Sequence, residues 1–200
     1  MELLVEIIKE HAPEDIWKGS PVAGYRKLGN TNRGEIGEEF VRRYLKLSKI
    51  DALRGLRTSL TDMGILDSKL EIKTASLGAN GTFQFNHIRL DRKYQYLLCL
   101  GICPNDIVFG MWRKGDVAEE RAGTLVRMAA AQSVTFKLTK KLAEMRPIQE
   151  MPTEILRRLS GTKCRVGRRR RIERSARPMT VASPAPHQTG RAVFPHPAFG

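Results

Sequence analysis

The fold is decided by residues 62–76, which read DMGILDSKLEIKTAS. Two short apolar segments flank the polar residues 67–69, and this arrangement predicts a β-hairpin closed by a tight turn. If residues 67 and 68 form a two-residue turn, Asp62 pairs with Lys73 across the hairpin. Because side chains alternate between the two faces of a strand, Asp62, Glu71 and Lys73 then share one face of the sheet.

The pattern acid-x-lysine occurs three times in this part of the chain, at residues 67–69, 71–73 and 91–93. The first lies in the predicted turn, and the last lies in a polar stretch. Only Glu71 and Lys73 lie within a predicted strand, so this pair is the one that a folded sheet would hold in a fixed geometry.

The shared face has two interpretations. It is either a solvent-exposed polar face or a metal site. In the second case the carboxylates of Asp62 and Glu71 and the backbone carbonyl of Ile72 would be hard oxygen ligands for Mg²⁺. Lys73 would position a water molecule or stabilise developing charge. Gly64, which the same register places opposite Glu71, would leave room for an ion or a phosphate group.

Outward from the hairpin, the sequence predicts a mixed α/β sheet covered by helices. A helix ending near Pro13 and another starting at Thr31 are expected from apolar residues at helical spacing. Residues 94–102 and 107–112 are continuous apolar runs typical of buried strands. Further elements are predicted as follows: a loop leading into a short helix at 83–93, a strand at 134–138 and a helix at 153–159.

The net charge is +14, and it is concentrated at the C-terminal end of the chain. Residues 161–200 hold nine Lys or Arg and one acid, with little apolar surface, which predicts a disordered basic tail. We therefore divide the chain into an N-terminal helix and linker (1–30), a core (31–160) and this tail (161–200). The excess of positive charge favours a polyanionic partner, although it would also serve solubility.

The localisation expected from the sequence is cytoplasmic. The N-terminus lacks the positive region of a signal peptide, and no apolar run is long enough to span a membrane. The three cysteines form no CxxC pair, so neither a disulfide framework nor a cysteine zinc site is indicated. Cys99 and Cys103 are expected to be core positions.

The chain resembles the PD-(D/E)XK nucleases, which include type II restriction endonucleases, Holliday-junction resolvases and repair exonucleases. The resemblance rests on residues 33–40 (RGEIGEEF), Asp62 and residues 71–76 (EIKTAS). Residues 83–89 (FQFNHIR) and the following strand are similar to restriction-endonuclease-like members. The resemblance covers roughly residues 30–140. Thr61 stands before Asp62, where the family often has proline.

This resemblance implies a restriction-endonuclease-like mixed β-sheet core flanked by helices. It also implies a Mg²⁺-dependent endonuclease acting on double-stranded DNA, with Mn²⁺ as a possible substitute. By position, Glu38 matches the helical acid that often joins the metal site in this superfamily, and Glu35 is the second choice. Alternatively, these acids simply favour the first turns of the helix.

The segment around residues 83–89 provides the predicted DNA-reading group. Amide side chains can bind adenine edges and arginine can bind guanine, so the candidates are Gln84, Asn86, His87 and Arg89. His87 is expected to contact phosphate or to pack, rather than to act as a general base. Phe83 and Phe85 are expected to be core anchors rather than stacking platforms.

The leading hypothesis is a type II restriction endonuclease that acts as a homodimer, since two cuts on opposite strands favour twofold symmetry. A Holliday-junction resolvase or a DNA repair nuclease would use the same residues. An alternative of another class is a basic nucleic-acid-binding module without catalytic activity.

Overall fold

The structure is a computed structural model of the 200-residue chain. It describes residues 1–11, 15–55, 61–128 and 133–166, and for residues 161–166 it describes the backbone only. The predicted basic tail therefore lies largely outside the described residues.

The described residues form four α-helices, nine strands and three short 3-10 helices. The helices are α1 (Glu2–His11), α2 (Asn30–Leu47), α3 (Lys114–Ala118) and α4 (Met151–Val166). The strands are β1 (Ala52–Arg54), β2 (Met63–Ile65), β3 (Ser68–Ser76), β4 (Thr82–Ile88), β5 (Tyr96–Ile102), β6 (Ile107–Arg113), β7 (Leu125–Met128), β8 (Thr135–Lys141) and β9 (Arg146–Pro147). The 3-10 helices are Ala23–Lys27, Leu142–Glu144 and Ile148–Glu150.

The strands form two sheets. The larger has the order β1-β2-β3-β5-β6-β9, and the smaller has the order β4-β8-β7. Strands β3 and β5 run parallel, whereas the other neighbours are antiparallel. The prediction of a mixed α/β sheet flanked by helices is confirmed.

The two faces of the large sheet are covered by different layers. On one face, α2 packs so closely that a Cβ added at Gly37 would lie within 2.9 Å of the Thr74 side chain. The hydroxyl of Tyr96, on that same face, donates to the carbonyl of Arg158 in α4 at 3.2 Å. On the other face, a Cβ added at Gly101 would lie 2.8 Å from the Phe83 ring. The small sheet therefore covers the face opposite the helices.

The hairpin forms as predicted, but its register differs by two residues. The turn is at residues 66–67, and Gly64 pairs with Lys69 rather than with Glu71. Leu66 adopts a left-handed backbone conformation with φ of 52°. Leucine rarely takes this conformation, so the sequence did not predict a turn at this residue. Because the side-chain period is two, a slip of two residues keeps every side chain on its predicted face. Asp62 accordingly comes to lie across from Glu71 instead of Lys73.

The prediction of a loop leading into a helix at residues 83–93 was wrong, because residues 82–88 form the strand β4. Its buried residues Phe83, Phe85 and Ile88 do not follow a strict period of two. A bulge between Phe85 and Ile88 inserts one extra residue and hides the strand pattern in the sequence.

The other predicted helices and strands agree with the structure within a few residues, except at the C-terminal end, whereas β1, α3, β7 and β9 were not predicted. Helix α4 runs from Met151 to Val166, so it is longer at its C-terminal end than the predicted helix at 153–159. Cys99 and Cys103 are buried free thiols, as expected for core positions. In the part of the chain that the structure describes, every helix is too short or too polar to cross a membrane.

Candidate active site

The site lies along the edge of β3 beyond the point where its neighbouring strand β2 ends. Strand β2 pairs with β3 only as far as Leu70, whereas β3 continues to Ser76. A groove of about 710 Å³ runs along the uncovered edge. Its walls come from the start of α2, the end of β3 and the strand β4. The lining residues that bear on function are Asn30, Arg33, Glu38, Asp62, Ile72, Lys73, Thr74, Gln84, Asn86, His87 and Arg92.

Asp62 and Ile72 are joined at the point where β2 and β3 separate. The N–H of Ile72 donates to Oδ2 of Asp62 at 2.8 Å. In a β-strand, the N–H and the C=O of one residue point to the same edge, and those of the next residue point to the opposite edge. The carbonyl of Ile72 therefore points the same way as its N–H, towards Asp62 and away from β5.

Glu71 lies beside Asp62 and is held by two cations. Its side chain is completely buried, and Nζ of Lys73 is 2.8 Å from Oε1 of Glu71. Nη1 of Arg92 lies 3.3 Å from both carboxylate oxygens of Glu71 and 3.7 Å from Oδ1 of Asp62. A buried carboxylate is tolerated only when it is paired and hydrogen-bonded. The two cations therefore balance the two acids in this cluster.

Burial and mutual repulsion raise the pKa values of two acids at the site. Burial raises the pKa of Asp62 above its ordinary value, and the neighbouring charge of Glu71 raises it further. Burial also raises the pKa of Glu38, and the second cause is the charge of Asp62. The N–H of Ile72 and the cations Lys73 and Arg92 oppose the shift at Asp62 without cancelling it.

Glu38 reaches the groove from α2, as its predicted role requires. Oε2 of Glu38 accepts a hydrogen bond from Nε of Arg54 at 3.2 Å. Its neighbour Gly37 allows the close contact between α2 and Thr74 that brings Glu38 to the edge of β3. Glu35, the second choice, is not among the residues that line the groove.

The donor set at this edge fits a hard divalent cation. Within the described ranges, no three His, Cys, Asp or Glu side chains stand close enough to form a ready-made metal centre. Two adjacent carboxylates and an outward-pointing carbonyl nevertheless provide the oxygen ligands that Mg²⁺ prefers. Burial, and after it the charge of Glu71, raises the pKa of Asp62, and a bound cation would favour the charged form of this acid.

Three of the four predicted DNA-reading residues lie on β4 at the groove. Gln84, Asn86 and His87 are exposed and line the groove. His87 has a positive φ of 57°, so the bulge turns two consecutive side chains, Asn86 and His87, to the same exposed side. Arg89 is not among the lining residues, and its guanidinium pairs with exposed Asp91.

Arg92 is the site residue that sequence reasoning missed. It belongs to the segment between β4 and β5, whose path depends on tertiary contacts rather than on any period in the sequence. The only signal was a basic residue in a polar stretch beside a buried strand. Arg33 belongs to the segment 33–40 that carries the family resemblance, but the sequence assigns it no role. Its Nε and Oγ1 of Thr74 are both buried, and neither atom has a hydrogen-bond partner among the described residues.

Comparison with known proteins finds similarity at the level of structure. A scan against protein-family models and a search of curated proteins each found no match. Among solved structures, the chain is similar to the bacterial homing endonuclease I-Ssp6803I. The match covers 68% of this chain and 99% of that chain, with 12% sequence identity and a TM-score of 0.44. At these values, no residue role passes from that enzyme to this chain.

Proposed function

We propose that this chain is a metal-dependent endonuclease that hydrolyses phosphodiester bonds of double-stranded DNA, in the manner of a type II restriction enzyme. One observation carries the proposal: Asp62 and Lys73 line an open groove at the uncovered edge of β3, and Glu71 lies buried directly beneath it, paired with Lys73. An exposed polar sheet face, the alternative interpretation of these residues, would not bury Glu71 completely.

The residues at this edge have separate tasks in the proposed reaction. Asp62, Glu71 and the carbonyl of Ile72 would bind Mg²⁺, with Glu38 nearby on α2. A bound ion would supply Lewis-acid stabilisation of the phosphate and would make a coordinated water more acidic. Lys73 keeps its ammonium group 2.8 Å from Glu71, where it can orient the attacking water or stabilise negative charge in the transition state.

The groove also has the features needed to bind a nucleic acid. Buried, unpartnered Nε of Arg33 offers a donor in its wall, which a phosphate oxygen would satisfy. Gln84 and Asn86 present amide groups that can bind base edges, and His87 can contact a phosphate. The net charge of +14 supplies attraction that does not depend on DNA sequence.

Action as a homodimer is part of the proposal, because cleavage of both strands at one locus requires two active sites with opposite strand polarity. Sedimentation velocity in the presence of DNA measures it directly. A dimer on duplex DNA is expected.

The function is tested by incubating the protein with Mg²⁺ and four substrates in parallel: supercoiled plasmid, linear duplex, single strands and a four-way junction. Discrete plasmid fragments, lost when EDTA is added, are the expected result. Cleavage confined to the junction would identify a resolvase. DNA binding without cleavage under any divalent ion would identify a non-catalytic binding module.

A further inference from the structure

Building on the proposed nuclease site, we infer that Arg92 is an internal counter-ion of the metal-free site. Its guanidinium neutralises Asp62 and Glu71 until a divalent cation takes these carboxylates, and it then moves to the DNA phosphate. Ion and DNA would thereby bind cooperatively. This role would make Arg92 a positioning and charge-balancing residue that the sequence motif does not contain.

The position of Arg92 is suited to exchange with an ion. A single nitrogen, Nη1, lies within 3.3 Å of Glu71 and 3.7 Å of Asp62, and so occupies the space between the two proposed ligands. The side chain of Arg92 is 29% exposed and lines the groove, whereas that of Glu71 beneath it is fully buried. The guanidinium therefore lies on the side from which an ion and DNA would enter.

The backbone of Arg92 is fixed while its side chain has room to move. Nζ of Lys114 donates to the carbonyl of Arg92 at 2.6 Å. Lys114 is itself held over the ring of Tyr94, at 5.2 Å from the centroid. A change of side-chain rotamer can thus carry the guanidinium from the carboxylates into the groove without moving the strand that follows.

The charges explain why such a movement would be coupled to DNA. Asp62, Glu71, Lys73 and Arg92 together carry no net charge, so a divalent cation entering alone leaves an excess of two positive charges at short range. A DNA phosphate brings negative charge to the same place, and a guanidinium binds phosphate oxygens bidentately. Each ligand therefore improves the site for the other, which is a reciprocal coupling.

Neighbouring cations are less suited to this role. Arg89 is engaged by both carboxylate oxygens of Asp91. Lys73 forms an ion pair with Glu71 and is required there for the proposed chemistry. Arg92 bridges both carboxylates of the pair and faces the groove.

The test measures Mn²⁺ binding to the full-length protein without DNA, by electron paramagnetic resonance. Arg92→Gln is compared with Arg121→Gln, whose guanidinium also holds two carboxylates, Asp116 and Glu119, on the surface. Loss of the competing charge should tighten Mn²⁺ binding about tenfold or more in Arg92→Gln and leave Arg121→Gln unchanged. Unchanged or weaker binding in Arg92→Gln would overturn the inference.

Cleavage separates this inference from the proposed function. If wild type cuts DNA, Arg92→Gln should cut more slowly although it binds Mn²⁺ more tightly, and these opposite signs support the role. Equal cleavage by both proteins would overturn the transfer to phosphate and leave the nuclease proposal intact. If wild type cuts nothing while Arg92→Gln still gains Mn²⁺ affinity, the nuclease proposal fails and the counter-ion role stands.

A second measurement uses the wild-type protein, in case Arg92→Gln does not fold. The Nε–H signal of Arg92 in a nitrogen-15 spectrum is assigned by its loss in Arg92→Lys. Addition of Mg²⁺ should shift this signal as the guanidinium leaves the carboxylates. A signal that is unaffected by saturating Mg²⁺ would contradict the exchange.

Discussion

The contact between Gly37 and Thr74 positions Glu38, and it can be tested with Gly37→Ala. A Cβ at residue 37 would lie 2.9 Å from Cβ and 3.0 Å from Cγ2 of Thr74, and closer still to its hydroxyl oxygen. These atoms belong to a short branched side chain next to the β3 backbone, so rotation alone cannot relieve all three contacts. Helix α2 would have to move away from the sheet.

The magnitude follows from two opposing effects. Alanine stabilises a helix interior by about 0.5–1 kcal/mol relative to glycine. Overpacking of a tight contact costs about 1–3 kcal/mol. Gly34→Ala, on the same helix, is a matched control because a Cβ there has no neighbour within 4 Å. The helix gain is common to both variants, so their free energies of unfolding should differ by about the overpacking cost of 1–3 kcal/mol.

Urea denaturation of both variants measures this difference, with m-values checked for constancy. Gly34→Ala should be slightly more stable than wild type, and Gly37→Ala should be less stable. Thr74→Ala should recover part of the loss in the double variant, because it removes the hydroxyl and Cγ2 but keeps Cβ. If both glycine variants are equally stabilised, α2 does not contact β3 at this distance, and the placement of Glu38 is wrong.

Three further predictions concern protonation, base reading and the C-terminal segment. The pKa of Asp62 is raised in the folded protein, so ionisation of this acid opposes folding. Asp62→Asn in EDTA should therefore raise the melting temperature at pH 7–8. This gain should vanish as the pH falls below the ordinary pKa of a carboxyl group, about 4. A constant gain across that pH range would show that ionisation of Asp62 is not the cause. Asn86→Ala should relax sequence preference by about 1–3 kcal/mol at one base position while Mn²⁺ binding is retained, which a cleavage assay on a randomised duplex library measures. Residues 167–200 hold seven arginines and one acid, so deletion after Val166 should flatten the salt dependence of DNA binding, and an unchanged slope in a fluorescence-anisotropy titration would exclude phosphate contacts by this segment.

The shared face of the site residues could be predicted because it depends on a short-range property. Glu71 and Lys73 are two residues apart in one strand, so their common face needs only the strand assignment. Asp62 was placed correctly for a weaker reason. The turn was mislocated because Leu66 adopts a left-handed conformation, and the error of two residues left the face unchanged.

The parts that sequence reasoning missed depend on contacts between distant segments. Strand β4 was not recognised because the bulge at Asn86 and His87 interrupts its alternation, and its pairing with β8 is not encoded locally. Arg92 lies outside any periodic element, and it reaches Glu71 only because the segment before β5 folds back over β3. Glu71 is completely buried on the face of the large sheet that the small sheet covers, and the sequence did not predict this second sheet.

The central claim is that Glu71 and Lys73 carry out metal-dependent cleavage, and a comparison of two acid-x-lysine pairs tests it most directly. Cleavage of supercoiled plasmid in Mg²⁺ is measured for Glu71→Gln, for Lys73→Ala and for the double variant Asp67→Ala with Lys69→Ala. Asp67 belongs to the turn and Lys69 is exposed, so the last variant removes the same residue types outside the groove. The account predicts a loss of about 100-fold or more in the first two variants and wild-type activity in the third, with all three folded by circular dichroism. Normal cleavage by Glu71→Gln and Lys73→Ala would contradict it.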